Sequence, residues 1–172
     1  ALVATLDLQI AAGLIKQFRA DEGLAVARDA ADVARRLRLA TLPMALIHQA
    51  GGYAQRGELP LMEACLAEAS ALAPQDLDVQ GCAWGHCRAT ASLLAEDRAR
   101  ALTEMTTGAG FLHRSPATVA PPFLGLRVLL LAVDGDKAAA RAAADLVHGS
   151  GATRHRIVAS LLGYADAVLL GR

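Results

Sequence analysis

The chain has few aromatic residues and few residues that favour strands. Aromatic residues make up 3% of its 172 residues, although hydrophobic residues make up 54%. Alanine and leucine carry most of the apolar content, and both are strong helix formers, whereas the β-branched and aromatic residues that favour strands are sparse. The composition therefore predicts an all-α chain whose helices approach closely through small side chains.

The chain also lacks a surplus of either charge and has few cysteines. Its 17 basic and 17 acidic residues cancel, whereas a nucleic-acid-binding domain usually carries a basic surplus. We therefore expect no direct contact with nucleic acid. The three cysteines are odd in number and irregularly spaced, so they do not form the pattern of a disulfide framework. We expect a reducing, cytoplasmic location.

No long uninterrupted apolar run is present. The most apolar stretch, 121–133, contains Arg127 and is too short to span a bilayer. Residues 1–17 lack a basic leading segment and are interrupted by Asp7 and Gln9, so they do not have the pattern of a signal peptide. We expect no membrane partner. Because the chain ends directly after an apolar helical stretch, we expect it to be a piece of a larger protein.

Similar segments recur along the chain. Four of them, beginning at Ala20, Arg56, Ala95 and Val133, open with a short polar turn and continue as an alanine- and leucine-rich helix. They recur roughly every 38 residues. Between them lie five more apolar stretches, typical of helices packed on two sides. These stretches are 2–17, 41–55, 77–94, 121–133 and 154–170.

This alternation predicts a TPR-like α-solenoid. We expect about nine antiparallel helices, four pairs plus one, in a single domain over 1–172. Gly57 and Gly135 fall at the turns within pairs, where a residue that tolerates positive φ is favoured. Stacked pairs cover one another's apolar faces, so the last helix, which has no partner helix after it, should expose apolar side chains.

The second unit, AGGYAQRGELPLMEACLAEASALAP (50–74), resembles a tetratricopeptide (TPR) repeat. A small residue, Ala50, is followed by Tyr53, then by Gly57 at the turn, and Pro74 closes the unit. The third unit departs from this pattern, with Glu96 in place of the turn glycine. The resemblance implies helix pairs in which an aromatic side chain fills the space between closely approaching helices.

The alanine- and arginine-rich composition of the units also resembles that of one class of protein. RADEGLAVARDAADVARRLRLA and VLLLAVDGDKAAARAAADLV are similar to the helical-repeat region of large bacterial LuxR-type transcriptional regulators. In that family an ATPase module precedes the repeats and a helix-turn-helix follows them. The resemblance implies that this chain is a sensor and protein-interaction segment of such a regulator.

The segment GCAWGHCRAT (81–90) is the one cluster of potential metal ligands. On an α-helix, Cys82 and His86 share a face, whereas Cys87 lies about 140° from Cys82. Tetrahedral zinc needs four ligands, and no second such pair occurs elsewhere. We expect no metal site, with His86 retained as a candidate ligand contact. Cys87 is predicted to pack in an apolar stripe with Ala83, Ala91 and Leu94.

Other chemistry-bearing residues are assigned structural roles. His48, His113, His148 and His155 are scattered, and we expect them to be solvated or to cap helices. The segment VDGDKAAA lacks the spacing of a phosphate-binding loop. SPATV (115–119) resembles the start of a LuxR-type recognition helix, but the two prolines that follow at 121–122 would break it, so we expect a loop.

The basic run ARRLRL places Arg35, Arg36 and Arg38 at the end of a helix. Cations there complement the helix dipole. We interpret this run as a solvated face, with contact to an acidic partner as the alternative.

These patterns predict a non-enzymatic module with no catalytic residue and no cofactor. It would bind a protein or peptide, or a small effector, in the groove formed by the first helices of the pairs. We predict that the polar side chains lining this groove are Gln55, His86, Thr90 and Tyr164. Two alternatives remain: a scaffold that homodimerises through exposed helices, and an α-helical enzyme whose site is assembled from distant residues.

Overall fold

A computed structural model describes residues 2–114, 121–154 and 156–171. Within these ranges the chain forms nine longer helices, a short 3-10 helix at Ala152–Arg154 and no strand, which confirms the all-α prediction. Most boundaries lie within a few residues of the predicted ones. The helices are α1 (Leu2–Lys16), α2 (Ala20–Arg36), α3 (Leu42–Gln55), α4 (Leu59–Leu72), α5 (77–94), α6 (Arg98–Leu112), α7 (Pro121–Asp134), α8 (Lys137–Gly149) and α9 (Arg156–Leu169).

Helix α5 is irregular at its centre. Its α-helical ends, Leu77–Cys82 and Ala89–Leu94, flank a π-helical segment at Ala83–Arg88. Hydrogen bonds in a π-helix span five residues instead of four. One extra residue in a turn rotates the following α-helical turns by about 100° relative to an uninterrupted helix. The faces of α5 after this segment therefore differ from those that a uniform period predicts.

The turns inside the four predicted pairs share one geometry. Phe18, Gly57, Glu96 and Gly135 have φ values of 58°, 72°, 60° and 90° and lie 39 residues apart. After each, the next residue donates its backbone N–H to a carbonyl five positions earlier, as from Glu58 to Tyr53 at 3.0 Å. This is the Schellman arrangement that ends a helix. The predicted role of Gly57 and Gly135 is confirmed, and Glu96 adopts the same conformation in the third unit.

The main contacts between helices, within the described ranges, join helices that are neighbours or next neighbours in the chain. Helix α3 packs against α1, α2, α4 and α5, while α7 packs against α8 and α9. The buried apolar residues form one cluster from α2 to α5 and another from α6 to α9. A smaller cluster joins α1 to α2 and α3. No helix in these ranges is both long and apolar enough to cross a bilayer.

Glycines let α5 and α6 approach to backbone contact. A Cβ atom built on Gly108 would lie 2.6 Å from the backbone nitrogen of Gly85, which is closer than real side chains come. Leu112 fills the space over Gly81 in the same interface. The position of α5, and of the π-helical segment within it, is therefore fixed from the side of α6.

The histidines divide into different environments. His148 is exposed in the last turn of α8, as expected for a solvated histidine, and its Nδ1 lies 2.7 Å from the carbonyl oxygen of Ala144. His48 contradicts its prediction, because it is buried in α3 with 9% of its surface exposed. Ten consecutive residues of α3 are buried, so no face of this segment was free for a solvated histidine. His113 is half-buried. His155 and SPATV lie outside the described residues.

The basic run at the end of α2 lies in solvent, as predicted. Arg35 donates to Glu68 of α4 at 2.7 Å, and both side chains remain nearly half exposed. Arg36 and Arg38 are exposed as well. An exposed ion pair of this kind contributes little to stability.

Candidate functional site

An apolar cavity of about 350 Å³ lies where the odd-numbered helices converge. This volume falls within the range of small-molecule sites. The walls come from α1, α3, α5, α7 and α9 and from the turn after α1. The lining residues are Ile15, Lys16, Phe18, Gln55, His86, Thr90, Leu93, Leu94, Pro122, Phe123, Leu126, Ile157 and Leu161.

His86 is held at the wall of the apolar cavity by contacts from two sides. It belongs to the π-helical segment of α5. Its ring meets the ring of Phe123 on α7 edge to face, with centroids 4.7 Å apart and planes inclined at 76°. On α3, Gly51 leaves the space that the imidazole occupies, because a Cβ there would lie 3.1 Å from His86 Nε2.

The His86 ring is neutral at physiological pH. Burial, with smaller electrostatic contributions from His48 and Lys16, lowers the pKa of His86 to about 3. A neutral imidazole offers one donor and one acceptor nitrogen. Its Nδ1 is buried without a hydrogen-bond partner among the described residues. Such an atom is normally satisfied by water or a ligand.

Gln55 joins α1 to α3 at the same cavity. Its Nε2 donates to the backbone carbonyl of Ile15 at 2.6 Å, which satisfies a carbonyl in the last turn of α1. Its Oε1 is buried and has no partner within the described residues. The lining of this cavity is therefore mainly apolar, and two of its polar residues, Gln55 and His86, each carry a buried atom with no partner among the described residues.

Three of the four side chains predicted to line the groove lie at this cavity. Gln55, His86 and Thr90 all contribute to its walls, and Thr90 is 8% exposed. Tyr164 does not line it, and its side chain is 65% exposed on α9. Its place on the wall is taken by Ile157 and Leu161, which lie on the same helix.

A second, more polar cavity of about 470 Å³ lies beside the first and shares Lys16 and His86 with it. Its walls come from α1, α3 and α5 and from the residues that precede α3 and α5. Three of its lining residues each carry a side-chain atom that is buried without a partner among the described residues: Thr41 (Oγ1), His48 (Nδ1) and His86 (Nδ1). Burial lowers the pKa of His48 to about 4.

The cysteines of α5 have the environment of core residues. Cys82 and His86 both line the polar cavity, which confirms the shared face predicted for them. Burial raises the pKa of the Cys82 thiol to about 12. The Cys87 thiol donates to the carbonyl of Ile47 at 3.5 Å. No group of three or more potential metal ligands occurs within the described ranges.

The apolar stripe predicted on α5 is correct for all but its last member. Ala83, Cys87 and Ala91 pack in the α2–α5 cluster. Leu94 does not join it, since it is 52% exposed and lines the apolar cavity. Leu94 is the last residue of α5, whereas Ala91, which also follows the π-helical segment, stays in the cluster.

Lys16, Phe18 and Phe123 line the cavity, but sequence reasoning missed them. One signal was available for Lys16, because it lies 39 residues before Gln55, at the equivalent position of its repeat unit. Phe18 occupies the turn position at which the second and fourth units have glycine. Phe123 carried no signal of its own, since its role depends on where α7 lies against α5.

Comparison of the chain with protein-family models, with curated proteins and with solved structures finds no match.

Proposed function

We propose that this chain is a TPR-like helical-repeat module that binds a small effector or a peptide in the apolar cavity. It acts as a sensor and interaction segment of a bacterial LuxR-type transcriptional regulator in the cytoplasm. It has no catalytic activity of its own. Binding between helices that are distant in sequence would change their packing, and that change would be passed on to the rest of the regulator.

Two observations support a solenoid. The four left-handed turn residues, from Phe18 to Gly135, recur every 39 residues. The main contacts between helices join neighbours and next neighbours in the chain. Both are expected when each helix pair stacks on the pair before it.

The observation that carries the recognition function is the convergence of five helices on one cavity. Helices α1, α3, α5, α7 and α9 each contribute to its walls, and they are the first helices of successive units. A ligand in that position touches every unit at once. The free energy of binding can therefore stabilise one arrangement of the units relative to one another.

The polar cavity does not favour the enzyme alternative. Its two histidines, His48 and His86, have pKa values of about 4 and about 3, whereas a general base works best with a pKa near the working pH. Its one thiol, Cys82, is protonated at neutral pH because its pKa is about 12. The carboxylate of Asp76 caps α5 by accepting from two backbone N–H groups.

Binding of Nile red, an uncharged apolar dye, tests whether the cavity accepts a ligand. We expect its fluorescence to rise on binding to the native chain. Ile157→Glu introduces a charge into the cavity wall at a site that is already 62% exposed, so we expect at least a tenfold loss of affinity without loss of the fold. Tyr164→Glu is the matched control, because Tyr164 is 65% exposed on the same helix but does not line the cavity.

Equal dye affinity for both variants would contradict the proposal that the apolar cavity is the binding site. Circular dichroism of each variant establishes that the helices are retained. Leu94→Glu provides a second variant, since Leu94 is 52% exposed and lines the cavity from α5.

The regulator assignment rests on the resemblance of the repeat units and has its own test. We expect the gene to encode a phosphate-binding loop before this segment and a helix-turn-helix after it. If the full reading frame holds neither, the LuxR-type assignment fails, and the ligand-binding module stands on its own evidence.

Self-association is a second candidate function, and the surface of α9 favours it. Ile157, Tyr164 and Val168 are exposed on this helix, as is Leu170 directly after it. Leu162, on the same helix, is instead buried in the α6–α9 cluster. Exposed apolar patches of this kind mark contact sites. Light scattering over a range of protein concentrations distinguishes a homodimer from a monomer.

A further inference from the structure

The lining of the apolar cavity carries a single charged side chain. Among its described residues, Lys16 supplies an ammonium group, and there is no carboxylate. His86 is neutral because burial lowers its pKa to about 3. The remaining walls are aliphatic or aromatic, apart from Gln55 and Thr90. The electrostatic complement of this surface is an apolar molecule with one negative charge.

Lys16 has no ion-pair partner among the residues that the structure describes, although arginines in the same ranges form several ion pairs. It lies in the last turn of α1, but Gln55 already donates to the Ile15 carbonyl there. Its positive charge is felt at His86, whose pKa it helps to lower. Lys16 also lines the polar cavity, whose walls include Asp76 and Asp78, and it forms an ion pair with neither of them. Its charge is therefore unpaired, among the described residues, at the wall that the two cavities share.

The residue next but one in the chain, Phe18, places an aromatic ring at the open edge of the cavity. Its side chain is 70% exposed, and its backbone has a φ of 58°. A bulky residue rarely adopts this conformation, and the equivalent positions of the second and fourth units are Gly57 and Gly135. The ammonium group of Lys16 could contact the charged head of a ligand, and the neighbouring ring of Phe18 could contact its hydrocarbon part.

We propose that the cavity binds a small amphipathic carboxylate, with its head at Lys16 and its hydrocarbon tail between α5, α7 and α9. This inference rests on the proposed function and names the class of effector. The tail would lie against Leu93, Leu126 and Leu161, all of which line the cavity. A volume of about 350 Å³ holds a small molecule and not a folded peptide segment.

One lysine favours a monoanion over a phosphate group. Phosphate sites in proteins usually combine arginine side chains or the N–H groups of a helix N-terminus. No arginine is among the described residues that line the cavity, and Lys16 lies at the C-terminal end of α1. A single ammonium group therefore matches the charge of one carboxylate.

Displacement of Nile red by decanoate, decanol and decylamine tests the inference. The three probes share a tail and carry a negative, a neutral and a positive head at neutral pH. We expect Lys16→Met to weaken decanoate about tenfold, because a charge-assisted hydrogen bond is lost, and to change decanol less than twofold. Lys16→Arg keeps the charge and should retain most of the decanoate affinity.

The chain offers a matched control for this substitution. Lys137 is the only other lysine of the sequence and lies exposed at the start of α8, outside the cavity. We expect Lys137→Met to leave the affinities of all three probes unchanged. Octanoate adds a second measure, since about 0.8 kcal/mol for each buried CH₂ group predicts that each methylene group changes the affinity about fourfold.

The outcomes separate this inference from the proposed function. If decanol and decylamine displace the dye as decanoate does, and Lys16→Met affects all three alike, the cavity is a ligand site without anion selectivity, and the inference is overturned. If Nile red itself does not bind, the proposed function fails as well. The inference is supported if Lys16→Met weakens decanoate binding but leaves the affinity for decanol unchanged, and if Lys137→Met changes neither affinity.

Discussion

Two buried histidines dominate the ionisable chemistry of the interior. His48 and His86 are 9% and 7% exposed, and burial lowers their pKa values from 6.5 to about 4 and about 3. The folded chain therefore binds fewer protons than the unfolded chain once the pH falls below 6.5. Above pH 6.5 the histidines are neutral in both states, and the free energy of unfolding is at its full value. As the pH falls from 6.5 towards the folded-state pKa values, the unfolded chain takes up protons that the folded chain does not, and this stability is lost.

We expect the free energy of unfolding to fall by about 2 kcal/mol for each of these histidines between about pH 7.5 and pH 5. His86→Gln removes one titrating group, so its stability should change with pH by about 2 kcal/mol less than that of the native chain. Urea unfolding at the two pH values measures the difference. His148→Gln, at an exposed position, is the control. An identical pH dependence for His86→Gln and the native chain would show that His86 is not buried as a neutral ring.

Helices α5 and α6 approach each other to backbone contact. The backbone of Gly108 comes close enough to Gly85 that a Cβ atom would lie 2.6 Å from its nitrogen. Gly110, on the same helix, is exposed and would place a Cβ in open space. Gly108 is therefore required for the close approach of the helices, whereas Gly110, two residues later, is not.

This difference predicts opposite effects of one substitution. Gly108→Ala forces two backbones apart, and we expect it to lower the free energy of unfolding by about 2–3 kcal/mol. Gly110→Ala should raise it by about 0.5–1 kcal/mol, because alanine favours the helix and meets no neighbour. Thermal and urea unfolding of the two variants measure both changes. Similar midpoints for the pair would contradict the close contact between α5 and α6.

In the chain as a whole, burial is uneven from one end to the other. Helix α3 packs against four other helices, and ten consecutive residues of it are buried. Helix α9 packs mainly against α7 and has three buried residues, Val158, Leu162 and Ala165. Both helices contain 14 residues, so their protection can be compared directly.

We expect amide hydrogen exchange to be slowest in α3 and markedly faster in α9. A helix with few buried contacts opens locally at a lower free energy than the core does. Mass spectrometry of peptides from the two helices, corrected for intrinsic exchange rates, provides the measurement. Equal protection of α3 and α9 would indicate that the chain opens only as one cooperative unit.

The local structure follows closely from the amino-acid pattern. Helix class, the number of helices and most boundaries were predictable because apolar spacing and turn residues act within a few positions of the chain. The left-handed turns at Gly57 and Gly135 and the packing of Cys87 follow from the same short-range rules. The unit spacing was predictable as well, though the turn residues place it at 39 residues instead of roughly 38.

The environment of individual side chains depended on packing between distant helices. His48 is buried and Leu94 lines the cavity, because neighbours on other helices set their surroundings. Gln55, His86 and Thr90 meet at one cavity, whereas Tyr164 lies in solvent. No local rule separates them. A cavity wall built from five helices exists only when all five are in place, and residue spacing along one helix does not contain that geometry.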